Sequence, residues 1–320
     1  MDFQYKLGAI PSPPDDRDYQ FKDIIAAVGE LPSKWVNPYL DELSEIALNQ
    51  GDSGECVCCA AVHLRWLQER EQNGSAEMLS PSYLYGNHTD DDVPDYGCFP
   101  RCVCSQTVKY GTCDFDSFPE YFEDKRDAHK EYLKRKDELD PKAYPYRTSS
   151  YYSCGGNSSI DTIKRAIMLR GGVMVLYICD YNFMTGITKF ITPCKTNNMK
   201  YGGHEVLLVG WDDDKNSFIM LNSWGKRYIH TSSYDRKPWC YISYNYPIQE
   251  THTFVDDIKK VQEEEKKMFA DTTNHWAEES INKAAQKGIV SGFDDGLFHP
   301  DEGLTRAQLC VILDKLGMLE

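Results

Sequence analysis

The chain of 320 residues carries 35 basic against 50 acidic side chains. The resulting formal charge of −15 argues against a nucleic-acid partner and against docking on anionic membranes through a basic patch. Hydrophobic residues at 41% and aromatics at 12% exclude a disordered chain and leave room for about two domains. No apolar run reaches the length of a membrane span, and Met1 to Ile10 has neither the basic start nor the apolar centre of a secretion signal.

Residues 1–30 read as an N-terminal segment in which Pro11, Pro13 and Pro14 forbid a helix. A larger domain, residues 31–254, follows it. Within that domain the Gly-rich run Gln50-Gly51-Asp52-Ser53-Gly54-Glu55-Cys56 leads into the apolar, helix-compatible Val57 to Leu64. Cys56 is therefore expected at a helix N-terminus, where unpaired N–H groups and the positive dipole end favour thiolate, the nucleophilic form. Glycine there lets backbone approach a substrate carbonyl, and the Gln50 amide offers a donor to an oxyanion. Asp52 and Glu55 are expected to make the cleft mouth acidic and to favour Lys or Arg near the scissile bond. Cys58 and Cys59 read as small core residues and His63 as a packed one.

Leu79 to Tyr85 predicts a short helix, followed by the acidic loop Asp90-Asp91-Asp92. Cys98, Cys102, Cys104 and Cys113 match no common zinc spacing, so one or two disulfides or free buried thiols stay open and no metal is assigned. Residues 118–140 are charged and helix-compatible, which predicts an exposed insertion. Ser159 is placed to cap a helix with Ile160, Ile163 and Ile167 on its apolar face, ending at Gly171-Gly172. Val173 to Cys179 predicts a buried strand, and Gly202 to Trp211 and Phe218 to Leu221 predict two more. His204 at the mouth of one and Asn222 at the end of its neighbour are then within reach of each other. Residues 226–239 read as a loop before a closing strand, Cys240 to Tyr246. From Asp256 to Lys267 nine of twelve residues are charged, which marks residues 255–268 as a linker helix.

Gln50, Cys56, His204 at 148 residues' distance and the block Asn222-Ser223-Trp224-Gly225 together resemble the papain-like cysteine peptidases. Leu7 to Tyr19 looks like the opening of the bacterial members, which implies that residues 1–30 lie over the cleft as a short inhibitory prosegment. The resemblance implies an α+β, two-lobed fold whose helical and sheet halves meet at a Cys–His cleft. It makes Cys56 the nucleophile, His204 the general base and acid, Asn222 its orienter and Gln50 the oxyanion donor, with Trp224 shielding the His–Asn bond. Gly54, Glu55, Pro100, Gly203 and Trp224 fall in its substrate-binding set. Ser53, Glu55 and Val57 depart from the family's Cys-Gly-Ser/Ala-Cys-Trp/Tyr around the nucleophile. The implied activity is an endopeptidase acting on a peptide or protein substrate through an acyl-enzyme, with no cofactor. Two alternatives stand beside it: a decayed, wall-associated binding protein, and a hydrolase of peptidoglycan stem peptides.

Residues 269–320 form a separate unit with Phe269-Ala270-Asp271, His275-Trp276-Ala277, Phe298-His299-Pro300-Asp301 and Thr305-Arg306-Ala307-Gln308. They resemble one S-layer homology module, small and mainly helical. That resemblance implies a bacterial cell-surface or extracellular location, a cell-wall polysaccharide as partner, and homo-oligomer formation to supply what tandem modules supply elsewhere. Arg306, a planar cationic fork, and Trp276, a flat face for a sugar ring, are the expected wall-binding residues. Thr305 and Gln308 form a candidate capping box. The carboxylates Asp294, Asp295 and Asp301 are open to calcium or to turn chemistry around Gly296.

Overall fold

A helix that is apolar on every face has to be buried on every face. The sequence Val57-Cys58-Cys59-Ala60-Ala61-Val62 leaves no side for water, and in the computed structural model it lies in helix α2 (Cys56–Asn73), buried from Cys56 to Glu69. Gly74, at φ 74°, ends it in the left-handed conformation that glycine adopts without strain. The structure describes residues 6–15, 19–24, 30–87, 97–119, 121–185, 189–195, 199–225, 237–256, 269–272, 275–286, 289–293, 295, 297–315 and 318. The acidic loop 90–92, most of the predicted loop 226–239, most of the linker 255–268, and Asp294 and Gly296 lie outside them.

The chain divides into two compact units, Met1–Asp256 and Asp257–Glu320. In the first, α2 packs between a helical half and one face of a sheet. The helical half holds α1 (Leu40–Glu45), α3 (Pro81–Gly86), α4 (Pro100–Lys109) and α5 (Lys125–Ala143). The predicted 79–85 helix is α3, with Pro81 in its first turn and the Ser80 side chain accepting from the Tyr83 N–H. The charged stretch 118–140 differs from the expected exposed insertion, because Ala128, Tyr132 and Leu139 are buried against α3 and both Tyr83 and Tyr132 donate to Asp140. Most of the charge of α5 lies on its outer face, while Lys125 is buried and Asp140 takes the two tyrosine hydroxyls.

The sheet runs β2 (Ser150–Ser153), β8 (Ile248–Val255), β3 (Val173–Cys179), β5 (Gly202–Asp212), β6 (Ser217–Leu221), β7 (Trp239–Ser243), β4 (Phe190–Ile191), with β1 (Lys34–Val36) on the far end of β5. Its pairs are antiparallel apart from β4 with β7. Alternate residues of β3 and β5 face opposite cores. Met174, Leu176, Leu207 and Val209 face α2, whereas Val173, Val175, Val206 and Leu208 face a second cluster with Ile163 and Ile167 of α6 (Ile160–Arg170) and Phe183 of α7 (Tyr181–Thr185). Ser159 precedes α6 without making the expected cap bond, since a 3-10 turn over Asn157–Ser159 leads in instead. Among the described residues no disulfide joins Cys98, Cys102, Cys104 or Cys113.

One buried cation ties the two halves. Arg65 on α2 bonds Glu69 and, beyond the end of β8, Asp256, each at 2.6 Å. Removing one partner of such a cluster strands buried carboxylates. Arg65→Ala is expected to cost about 3–5 kcal/mol, read as a lower urea midpoint.

In the second unit, helices α8 (Glu278–Gln286) and α9 (Arg306–Lys315) accompany a Phe269–Phe298 contact at 5.1 Å and Asp271, which accepts from the N–H groups of Phe298 and His299. The capping box forms as predicted: the Gln308 N–H donates to Thr305 Oγ1 at 3.2 Å, and the Thr305 N–H donates to Gln308 Oε1 at 2.8 Å. No helix among the described residues is long and apolar enough to cross a membrane.

Candidate active site

Cys56 is the first residue of α2, fully buried, and faces the start of β5. The peptide N–H groups of Glu205 and Gly8 point at its sulfur and favour the thiolate, but burial outweighs them and pushes the thiol up to about 12. His204 sits on β5 with its ring on the opposite side of the strand from Glu205. Its Nε2 meets Asn222 Oδ1 at 2.8 Å, because β5 and β6 are paired and Asn222 follows the last residue of β6. Asn222 is itself fixed: its N–H donates to Pro238 O, and its Oδ1 also accepts from the Ser223 N–H.

Trp224 stacks on the His204 ring at 4.6 Å, and Phe183 meets the same ring edge-on at 5.8 Å. Together they keep water off the His204–Asn222 bond. Burial lowers His204 to about 4 against the opposing help of Asn222, and Nδ1 has no hydrogen-bond partner among the described residues. In this state thiol and imidazole are both neutral.

The reason is the N-terminal segment. Residues 6–12 cross the cleft directly over Cys56, making Gly8 one of the two N–H groups at the sulfur. Ala9 N donates to Gly203 O at 3.0 Å, Ile10 N to Cys98 O at 3.0 Å, and Cys98 N to Gly8 O at 2.8 Å. Ser12 N reaches Glu250 Oε2 at 2.8 Å, and Arg101 binds the segment through Ser12 Oγ and Pro13 O. Gln50 Nε2 is divided between Lys6 O at 3.1 Å and Ser53 O at 2.8 Å, while its Oε1 accepts from Ser223 Oγ. The amide expected to hold an oxyanion thus holds a carbonyl of the segment.

The remaining predicted residues separate into two groups. Gly203 and Gly54 line the path of the segment, and a Cβ at Gly203 would stand 2.0 Å from Ala9 O. Pro100 opens α4 two residues after Cys98 and is buried in the helical half. Glu55 differs from the expected cleft-facing carboxylate: it is buried in the helical half, accepting from Ser82 Oγ at 2.8 Å and the Phe122 N–H at 3.2 Å. Burial, moderated by these donors, raises it to about 8. A glutamate on the first turn side away from the sheet cannot reach the cleft. His63 is packed, accepting from the Leu48 N–H. Among the described residues no group of three or more His, Cys, Asp or Glu is placed to hold a metal ion. The residues that sequence reasoning missed are Phe183 and Glu205. The second carried a signal, a carboxylate at an inward position of a strand otherwise made of buried residues.

The model of the papain family cysteine protease matches residues 48–237. The chain belongs to this family. The peptidase domain is similar in fold to xylellain, a cysteine protease from Xylella fastidiosa, at 20% identity, TM-score 0.64, and coverage of 79% of this chain and 97% of that one. It is likewise similar to the cysteine protease CMS1MS2 of Carica candamarcensis, at 16% identity, TM-score 0.55, and coverage of 71% and 99%. Among curated sequences, an uncharacterized peptidase C1-like protein of Acanthamoeba polyphaga mimivirus is 24% identical over 220 residues, 63% of this chain and 66% of that protein. Residues 269–310 match the S-layer homology domain. A stretch of 49 residues is 43% identical to the outer membrane protein SlpA of Thermus thermophilus, covering 15% of this chain and 5% of that one. The chain therefore spans less than two thirds of the length of the curated relatives it matches.

Proposed function

We propose that the chain is a cysteine endopeptidase held at a bacterial cell surface, with Cys56, His204 and Asn222 as its triad and Gln50 as oxyanion donor. The observation that carries this reading is the buried 2.8 Å contact of His204 Nε2 with Asn222 Oδ1, on the strand whose next residue sends its N–H to the Cys56 sulfur. With Nε2 committed to Asn222, Nδ1 is the atom left to exchange a proton with the thiol. Cys56 gives its proton to Nδ1 as the sulfur attacks the substrate carbonyl carbon, and Gln50 Nε2 steadies the oxyanion. The C–N bond breaks, His204 protonates the departing amine, and an acyl-enzyme remains. Water then attacks the thioester with His204 as base, releasing the acid and restoring the thiol.

In this reading residues 6–12 are the enzyme's own inhibitor, because they occupy the thiol, the oxyanion donor and both edges of the cleft at once. A peptidyl epoxide is the direct test. One covalent adduct, mapped to Cys56 by mass spectrometry, is expected once the segment is displaced. Absence of any adduct would favour the wall-associated binding protein.

Cell-surface location rests on the S-layer homology match and the likeness to SlpA. Trp276 is 91% exposed, and Arg306 stands exposed at the start of α9, which supports their proposed role as polysaccharide contacts. Arg306→Ala is expected to lower retention on purified bacterial walls about tenfold, the worth of a charge-assisted hydrogen bond. Equal retention of both proteins, or of neither, removes the wall anchor.

A further inference from the structure

Cys58 and Cys98 are forty residues apart in the chain and meet inside the helical half, both fully buried, with 3.9 Å between their sulfurs. The proposed reaction uses neither. Cysteine packs as a small apolar residue in many cores, so burial alone says nothing about them. What sets this pair apart is where its two residues sit. Cys58 is on the first turn of α2, two residues after the nucleophile. Cys98 is the residue whose N–H donates to Gly8 O and whose carbonyl accepts from Ile10 N. Their contact therefore joins the helix that carries Cys56 to the backbone edge from which the covering segment hangs.

As two thiols, the pair makes a weak tie, because S–H is a poor donor and sulfur a poor acceptor. A covalent bond at the same place would fix the edge outright. The sulfurs have to close by about 2 Å to reach the disulfide distance, which rotation about the Cα–Cβ bonds supplies. Cys98 stands outside the helices and strands, between Gly97, at φ 86°, and Pro100 at the start of α4, so no regular element opposes its adjustment.

We propose that Cys58 and Cys98 are the two halves of a structural disulfide, present in this structure as the dithiol, that fastens the cleft edge to the nucleophile's helix. The cell-surface part of the reading above supplies the setting in which such a bond persists. The co-reactant is a small-molecule disulfide such as oxidised glutathione. One protein thiol loses its proton, its sulfur attacks a sulfur of the small disulfide, and one small thiolate leaves. The other cysteine, deprotonated in turn, attacks the protein-side sulfur of the mixed disulfide and expels the second small thiolate. Two protein thiols become one disulfide while one small disulfide becomes two thiols, so two electrons and two protons pass to the oxidant. In the folded chain burial and the contact with Cys98 hold the Cys58 thiol well above its ordinary range, which withholds the thiolate that exchange needs. The bond is therefore made while the chain folds. An edge fixed in this way keeps the Cys98 N–H and C=O in place after the segment leaves, and the next peptide meets it already formed.

The test takes the full-length chain, unfolds it with reductant, and refolds it either in excess oxidised glutathione or in dithiothreitol. After free thiols are blocked and the chain is digested without reductant, mass spectrometry is expected to find the Cys58 and Cys98 peptides joined, at least tenfold above any other pairing of either cysteine. The thermal midpoint of the oxidised chain should exceed that of the reduced one by about 5–10 °C, and most of this difference should vanish in Cys98→Ser. If Cys98→Ser does not fold, Cys58→Ser carries the same comparison. Recovery of both residues as blocked thiols after oxidative refolding, or of either joined to another cysteine, overturns the proposal, as does a midpoint difference that survives intact in the serine variant. None of these measurements uses peptide hydrolysis, so a chain that carries the bond and cuts nothing fails the peptidase reading alone.

Discussion

Cys56→Ala is expected to abolish peptide hydrolysis, a loss on the order of 10⁴-fold or more, with the fold intact. Three cysteines stand within four residues at the head of α2, so the loss has to be specific to one of them. Cys58 and Cys59 are fully buried, and burial together with their acidic and thiol neighbours raises both well above the usual thiol range. Cys58 points at Cys98, 3.9 Å between sulfurs, inside the helical half. Of the three, Cys56 has peptide N–H groups from β5 and from the covering segment directed at its sulfur. Cys58→Ala and Cys59→Ala should retain the parent rate within a few-fold. Asn222→Ala is expected to reduce kcat/KM about 10²-fold, because the His204 ring then loses the bond that sets its orientation. A Cys56→Ala protein that still turned over peptide at the parent rate would mean the chemistry lies elsewhere in the molecule.

The parts of this site legible in sequence are those in which local chemistry and strand order agree. A glycine-rich approach to a wholly apolar helix placed Cys56 at a helix start, and two apolar strands with His and Asn at neighbouring ends met in the sheet. Glu55 was not legible, since one step along a helix start turns a side chain by about 100° and decides between cleft and core. Its partners, Ser82 and the Phe122 N–H, come from segments that only the tertiary fold brings near. The same limit applies to α5, whose charged outer face hid the buried stripe of Ala128, Tyr132 and Leu139. Glu205 follows His204 in sequence, yet its place in a row with Leu176 and Glu250 is set by the pairing of two other strands. The proline-rich start did announce an extended segment, and its extension lets Gly8, Ala9 and Ile10 bond to Cys98 and Gly203 along both sides of the cleft.

Gly8→Val is expected to raise kcat/KM of the full-length chain by about 10–100-fold. The seat of the segment is made by backbone meeting backbone, which glycine permits and a side chain forbids. A Cβ at Gly8 would stand 2.0 Å from Gly54 O, and neither group is a flexible side chain that can step aside. On the opposite side of the crossing, a Cβ at Gly97 would stand 2.3 Å from Gly8 O, at a φ of +86° that already favours glycine. The hold itself is modest. Five hydrogen bonds secure residues 6–12 to the cleft through Gln50, Cys98, Gly203 and Glu250, each worth about 1 kcal/mol net. A net hold of about 2–3 kcal/mol leaves on the order of 1% of molecules uncovered, and this is the value the prediction assumes. Activity of the parent is scaled by that fraction, so a substitution that empties the seat recovers most of the missing factor. The covering state also explains the neutral pair: burial beneath the segment drives the thiol up to about 12 and the imidazole down to about 4, and solvent restored to the cleft relaxes both shifts toward an ion pair. Stopped-flow labelling of Cys56 by a peptidyl epoxide should therefore accelerate in parallel with hydrolysis in Gly8→Val. Equal labelling rates in parent and variant, with both chains folded, would mean that the segment leaves the cleft unaided and restrains nothing.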